Sequence, residues 1–322
     1  MLKPLRCLIL ACLALMAQAV GAWAQDKSNA DLVTLGLYVN QLEEMSLRDG
    51  RIGVDFYLWT RWRNPEIDPL QGIELMNGRI EQIDVQEKKQ VGEELYALAR
   101  VRAVINATWD VARFPLDRQQ VRIVLEDTTR DASRLIYQPD VRNSELAPDL
   151  AVPGYRIASG AAHAATHVYR TNYGDTSMPT GKESQYSRFT YTIELARPGL
   201  TYFFKLYTAI FISTMVAFLA FLVKPTDLDP RFGLGVGAVF AVVACAFVIS
   251  SQLPETAEFA LTDQINVVSM GLIFLSIVQS AISLALYEAA PAMSRRFDWS
   301  CTLLFPVVYA LAILALMVGV GI

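Results

Sequence analysis

Two patterns of apolar residues divide the chain. Over Val54–Trp62 one face collects Val54, Phe56, Leu58 and Trp62, and the other carries Asp55, Tyr57, Trp59 and Arg61. Leu98–Ile105 sets Val101, Ala103 and Ile105 against Arg100 and Arg102. Val121, Ile123 and Leu125 repeat the alternation, as do Phe189, Tyr191, Ile193 and Leu195. Side chains at a period of two stand on opposite faces of a strand, so each run predicts a strand with one dry face. Gly, Pro, Asn and Asp separate the runs. The region therefore reads as all-β, an antiparallel immunoglobulin-like β-sandwich, rather than a helical or βαβ domain. A short helix before Val33 is compatible with the pattern but not required.

Beyond residue 199 the alternation stops. Leu206–Val223, Phe232–Leu253, Gln264–Tyr287 and Trp299–Ile322 hold no charged side chain. Each has about the 17–25 residues needed to cross roughly 30 Å of hydrocarbon. They predict an α-helical four-transmembrane bundle, with helices near 200–223, 232–253, 264–287 and 299–322.

Charge orients these segments. Lys3 and Arg6, the apolar run Leu8–Val20 and Ala22-Trp23-Ala24 before Gln25 have the form of a secretory signal peptide. A lipoprotein reading at Cys12 fits less well. The chain thus divides into a signal peptide (1–24), a water-facing sandwich (25–198) and a membrane domain (199–322). With the sandwich outside, the links Lys224–Arg231 and Glu288–Asp298 face the cytoplasm, and they carry Lys224, Arg231, Arg295 and Arg296. The outer link Pro254–Asp263 has Glu255, Glu258 and Asp263 but no Lys or Arg. The positive-inside rule gives the same orientation, with the C-terminus outside.

Composition removes several classes of function. A formal charge of −4 offers no basic surface for nucleic acid. Cys7 and Cys12 fall in the signal peptide, and Cys245 and Cys301 in membrane stretches, so the sandwich has no disulfide and must rest on its own core. There is no GxSxG, HExxH, Gly-rich phosphate loop or Cys/His cluster, hence no catalytic, metal or cofactor set. His163 and His167 read as surface histidines on a strand. The pairs Glu43-Glu44 and Glu93-Glu94 read as solvated charges.

Phe114-Pro115-Leu116-Asp117-Arg118-Gln119-Gln120 resembles the FPFDxQ signature in the Cys-loop of pentameric ligand-gated ion channels. The cysteines that close this loop in animal receptors match Ala107 and Val121, so the bridge is absent, as in bacterial members. Asp110 matches the acid inside the loop. Val54–Trp62 resembles the second strand of the family, and Thr166–Arg197 the ninth and tenth strands with loop C between them. Arg197 matches the basic residue before the first membrane helix. Arg231–Gly235 resembles the start of the pore helix, Leu253-Pro254 and Thr262–Gln264 the link into the third helix, and Phe305–Val308 the start of the fourth. The resemblance covers essentially all of the mature chain and is closest to the bacterial amine-gated type. Two features depart from the family: Leu206–Val223 lacks the central proline of the first membrane helix, and Gly72–Asn77 lacks the Trp-x-Pro near loop A.

The resemblance implies a homopentamer in the bacterial inner membrane, with the sandwich in the periplasm. A small agonist such as an amine would bind between subunits, with Tyr173 and Tyr186 on the principal face, Tyr57 on the complementary face and Glu74 as a loop A acid. Strand parity separately puts Tyr57 and Tyr186 on non-core faces. Aromatic faces attract an ammonium group by about 0.5–2 kcal/mol per ring. Plain packing against a neighbouring subunit is the other reading of these tyrosines.

Gly233, Gly237, Phe240, Ala244, Phe247 and Ser251 recur in steps of four and three and share one helix face. Small residues also mark close helix packing; the resemblance instead implies that this face, with Asp229 below it, lines a pore. Rings of Phe240 and Phe247 would close such a pore by dewetting. Asp227 and Asp229 at its mouth favour monovalent cations, although Pro230 replaces the usual glutamate. Coupling would run through Ser46–Gly50, Asp110, Pro115, Asp117 and Arg197 to Pro254, with Asp117 and Arg197 able to form an ion pair. The alternative is a non-conducting membrane ligand sensor of the same fold, because the stripe holds no Ser or Thr before Ser251. An enzyme lacks its residues here, and a transporter lacks a polar break at the membrane midplane. The partners implied are further copies of the chain, the agonist, the permeant ion and membrane lipid.

Overall fold

The computed structural model describes residues 30–174, 183–255 and 259–319. The expected signal peptide and cleavage site lie outside the described residues, as do the tip of the expected loop C segment and part of the Pro254–Asp263 link. Ten strands form the first half: β1 (Asp31–Ser46), β2 (Arg51–Trp62), β3 (Ile73–Leu75), β4 (Gly78–Val91), β5 (Glu94–Asn106), β6 (Arg118–Asp127), β7 (Leu135–Pro139), β8 (Glu145–Leu146), β9 (Arg156–Tyr169) and β10 (Ser184–Ala196). One sheet has the order β4-β5-β2-β1-β7 with β8 beside β1, and the other has β3-β6-β10-β9.

Alternation accounts for the core. Val54, Phe56, Leu58, Val101, Ile105, Val121, Ile123, Phe189, Ile193 and Leu195 are all buried in one apolar cluster. The sandwich is antiparallel with one correction: β7 and β8 run parallel to β1. The chain leaves the second sheet after β6 and enters the first at this edge, so no hairpin forces it to reverse. A second correction concerns Asp55. It stands on the face expected to be wet, yet it is buried, clamped by Arg100 through Nε to Oδ1 at 3.1 Å and Nη2 to Oδ2 at 2.9 Å.

Four helices follow: α1 (Leu200–Phe218), prolonged by a 3₁₀ turn Leu219–Leu222, then α2 (Leu228–Ser250), α3 (Leu261–Ala289) and α4 (Pro291–Gly319). All four are long and apolar enough to cross a bilayer. The last two outrun their apolar stretches. Only Ala290 separates α3 from α4, so the expected link Glu288–Asp298 is nearly all helix and α4 starts at Pro291 rather than near Trp299. Hydrocarbon thickness limits the apolar stretch, not the helix, and proline suits a first turn because its missing N–H has no partner there. Phe305–Val308 accordingly falls inside α4, with Pro306 mid-helix.

Within the bundle α2 packs mainly on α1 and α3, whereas α4 packs on α3 and the 3₁₀ turn. The buried face of α3 is polar: Thr262, Asn266, Ser269, Ser276, Ser280 and Ser283. Small hydroxyls let backbones approach while bonding their own helix, as Ser269 and Ser280 do to the carbonyls of Ile265 and Ser276 at 2.8 and 3.0 Å.

Candidate functional site

The hairpin β9–β10 gathers aromatics at its loop end. Tyr169 lies 5.8 Å from Tyr173 and 5.9 Å from Tyr186 between ring centroids, and His167 lies 4.5 Å away. Tyr173 and Tyr186 thus share a cluster whose centre, Tyr169, has no counterpart among the residues singled out from sequence. The Tyr169 hydroxyl donates to Glu126 Oε2 at 3.0 Å and accepts from Arg188 Nη2 at 2.9 Å, and Arg188 Nε donates to Glu126 Oε1 at 2.5 Å. Burial, followed by the bond to Glu126, pushes the Tyr169 phenol above its ordinary pKa. Burial does the same to Tyr186, with Tyr173 as the next cause.

Charge at this corner is nearly balanced. Arg188 neutralises Glu126, and Arg130 meets Asp127 at 2.9 Å. Glu74 sits opposite Glu126 in the β3–β6 register and is exposed. Among the described residues it has no ion-pair partner. Tyr57 belongs to the other sheet and does not join the cluster within one chain. Its ring already carries the Arg100 guanidinium at 5.8 Å.

A second constellation ties the sandwich to the bundle. Arg197 Nε reaches Asp117 Oδ1 at 3.2 Å, with both side chains almost fully buried. The guanidinium stacks over Tyr155, Tyr202 and Phe114 at 3.9, 4.6 and 5.1 Å. The other Asp117 oxygen accepts from Tyr155 at 3.1 Å and from Gln119 at 2.6 Å. Burial, then the Asp117 charge, pushes the Tyr155 phenol well above its usual range. Asp110 accepts from the Ala112 N–H at 3.1 Å and so shapes the turn before Pro115. That turn meets α3: the Leu261 N–H donates to the Ala112 carbonyl at 3.0 Å, and the Thr262 hydroxyl to Phe114 at 3.2 Å. Near Pro254, Arg48 reaches the Ser251 carbonyl at 3.4 Å.

The third feature is a bare helix face. Asp229, Gly233, Gly237, Phe240, Ala244, Phe247 and Ser251 are all exposed, Phe240 and Phe247 at 72% and 75%. Close packing would have filled the space beside these glycines, yet a methyl at Gly233 or Gly237 would meet nothing within 4 Å. Gly235, on the opposite face, is the packing glycine, since its added methyl would stand 2.6 Å from Ile277. Arg231 turns away from the bare face. It forms a buried bidentate pair with Asp298 at 2.7 and 3.1 Å and also donates to the Val223 carbonyl. Gln279 completes this group by donating to Asp298 at 2.7 Å. Sequence reasoning missed Asp298 and Gln279, because they fall in other helices and only packing brings them to Arg231.

A sandwich standing on four apolar helices, with one helix face left bare, defines a multi-pass membrane protein with a water-facing domain. No protein-family profile matches the chain. It is 24% identical over 268 residues to the neuronal acetylcholine receptor subunit alpha-9-I of Oncorhynchus mykiss, a match covering 75% of this chain and 44% of the relative. The chain therefore spans less than half the length of that relative.

Proposed function

We propose that the protein is a ligand-gated ion channel of the Cys-loop receptor superfamily, assembled from five copies of the chain in the bacterial inner membrane. The likeness to a receptor subunit and the architecture both support this reading. The observation that carries it is the bare face of α2. Its neighbours in the protomer cover Arg231, Gly235, Ala238, Val242 and Ile249 and leave the aromatic stripe open. Copies arranged about an axis would turn this stripe onto a shared lumen, where rings of Phe240 and Phe247 exclude water until the helices tilt apart. With Arg231 internally paired, Asp227 and Asp229 are the acids left at the mouth opposite the sandwich, which favours cations.

Agonist would enter the Tyr173–Tyr186 corner of one subunit, with Tyr57 supplied by the next and Glu74 offering an exposed carboxylate. An amine fits this chemistry. Binding that prefers one arrangement of the sandwich would shift the closed–open equilibrium through the Arg197–Asp117 junction. The signal peptide would place the sandwich in the periplasm, with residues 25–198 as the ligand domain and 199–322 as the pore domain.

Bilayer recordings of the purified protein with a panel of small amines test the proposal. Amine-evoked currents are expected, with Phe240→Ala raising the open probability without ligand. Silence of both proteins overturns the channel reading. Silence with preserved, saturable amine binding decides for the second reading, a non-conducting sensor, which the lack of hydroxyls on the bare stripe before Ser251 favours.

A further inference from the structure

The aromatic corner already holds a cation of its own. Glu126 is the carboxylate built into the cluster, because Tyr169 bonds it and also packs against Tyr173 and Tyr186. Both of its oxygens are engaged: Oε1 accepts from Arg188 Nε at 2.5 Å, and Oε2 from the Tyr169 hydroxyl at 3.0 Å. The same guanidinium donates through Nη2 to the Tyr169 oxygen at 2.9 Å and lies 5.9 Å from the centre of its ring. A carboxylate and an aromatic face are the two groups that recognise an ammonium, and here both hold Arg188.

Strand geometry puts it there. Ser187 and Phe189 are buried, so Tyr186 and Arg188 share the outer face of β10. Phe189 pairs with Leu125, which brings the neighbouring Glu126 to the same place on β6. The Glu126 side chain is only 3% exposed, whereas that of Arg188 remains 26% exposed. A solute can therefore compete for the place of the guanidinium without opening the core, but reaches Glu126 only by moving it. Glu74, exposed beside Glu126 in the β3–β6 register, needs no such displacement.

We propose that Arg188 is a tethered occupant of this corner, filling the cation position against Glu126 and Tyr169 until an incoming cation displaces it. On the reading of the corner as an agonist site, on which the proposal rests, Arg188 is the built-in competitor of the agonist. Self-occupancy raises the apparent Kd in inverse proportion to the fraction of protein whose corner is vacant. It also selects among ligands, since a guanidinium making charge-assisted bonds yields only to a head that carries both charge and N–H donors. The plain alternative is a fixed ion pair that ties β6 to β10. Loss of Arg188 would then strand a buried carboxylate and weaken the hairpin, with no gain in ligand affinity.

Calorimetric titration of the purified full-length protein with ethylamine and with methylguanidine separates the two. Arg188→Gln is expected to bind both cations on the order of tenfold more tightly than the native protein. The gain should vanish in Arg188→Gln/Glu126→Gln, where the carboxylate to be freed is absent. Methylguanidine should raise the melting temperature of Arg188→Gln more than that of the native protein, because it restores the missing head. Arg188→Lys keeps a charge beside Glu126 with fewer bonds, and its affinity should fall between native and Arg188→Gln. Gel filtration checks the assembly of each variant, and Arg188→Lys decides the question if Arg188→Gln does not assemble. Equal or weaker binding by these single variants overturns the proposal and leaves the agonist reading standing. So does a gain that survives in the double variant, or amine binding that is lost in Glu74→Gln yet indifferent to Arg188. Absence of binding by the native protein and by every variant overturns the agonist reading as well.

Discussion

A single arginine shows how much one residue can carry. Arg197 joins two domains by meeting a buried carboxylate on one side and three aromatic rings on the other. Removing one partner of a buried pair costs about 3–5 kcal/mol, because the remaining charge is stranded. Asp117→Ala is therefore expected to lower the melting temperature more than the Asp117→Ala/Arg197→Met double variant, as read by a thermal scan in detergent. A smaller loss in the single variant would show that the cage alone satisfies the guanidinium. Tyr155 adds a pH dependence. Its folded pKa lies above the unfolded value of about 10, so its share of stability is complete below that pH and is lost as pH rises beyond it. Tyr155→Phe should flatten that part of the alkaline decline in melting temperature. In the aromatic corner, Tyr186→Ala should weaken amine potency roughly 2- to 30-fold in dose–response recordings, the range for one cation–π contact. Parity made Tyr57 and Tyr186 conspicuous in sequence. Tyr169, Glu126 and Arg188 were not, because their bonds join residues 43 and 62 positions apart and depend on register.

Among the elements, α2 is the most informative. Helical spacing put Gly233, Gly237, Phe240, Ala244, Phe247 and Ser251 on one face but left open whether another helix covered it. Its place between α1 and α3 answers that within the protomer, and the internal pairing of Arg231 fixes its rotation. Neutralising one member of that pair, as in Asp298→Asn, should destabilise the bundle more than the Arg231→Met/Asp298→Leu double variant, since apolar replacement of both charges is often neutral. Detergent melting temperatures check the order. For α3, the serines inside Gln264–Tyr287 passed as neutral members of an apolar stretch. Their spacings of seven, four and three are a readable sign of a close-packed face, legible only once the polar residues are scanned for periodicity as the apolar ones were.

For the whole molecule, the protomer leaves apolar surface on two opposite flanks, the α2 stripe and the outer sides of α1 and α4. Lipid can cover both, but only self-association gives the Phe240 and Phe247 stripe an axis. End-on images of purified particles are expected to show fivefold symmetry with α2 innermost. Monomeric particles, or particles with α4 at the centre, would remove the basis for a pore.

Amino-acid order alone determined the two halves of the chain, their secondary-structure class, the faces that each strand buries and four candidate membrane spans. These depend on local periodicity and on the length of apolar stretches, which a neighbouring residue can report. Tertiary structure decided the parallel edge beside β1, the burial of Asp55, the near fusion of α3 to α4 and the partners of Arg188, Arg197 and Arg231. Each of these depends on which distant segments pack together, and a buried charge finds its counter-ion through the fold rather than along the chain.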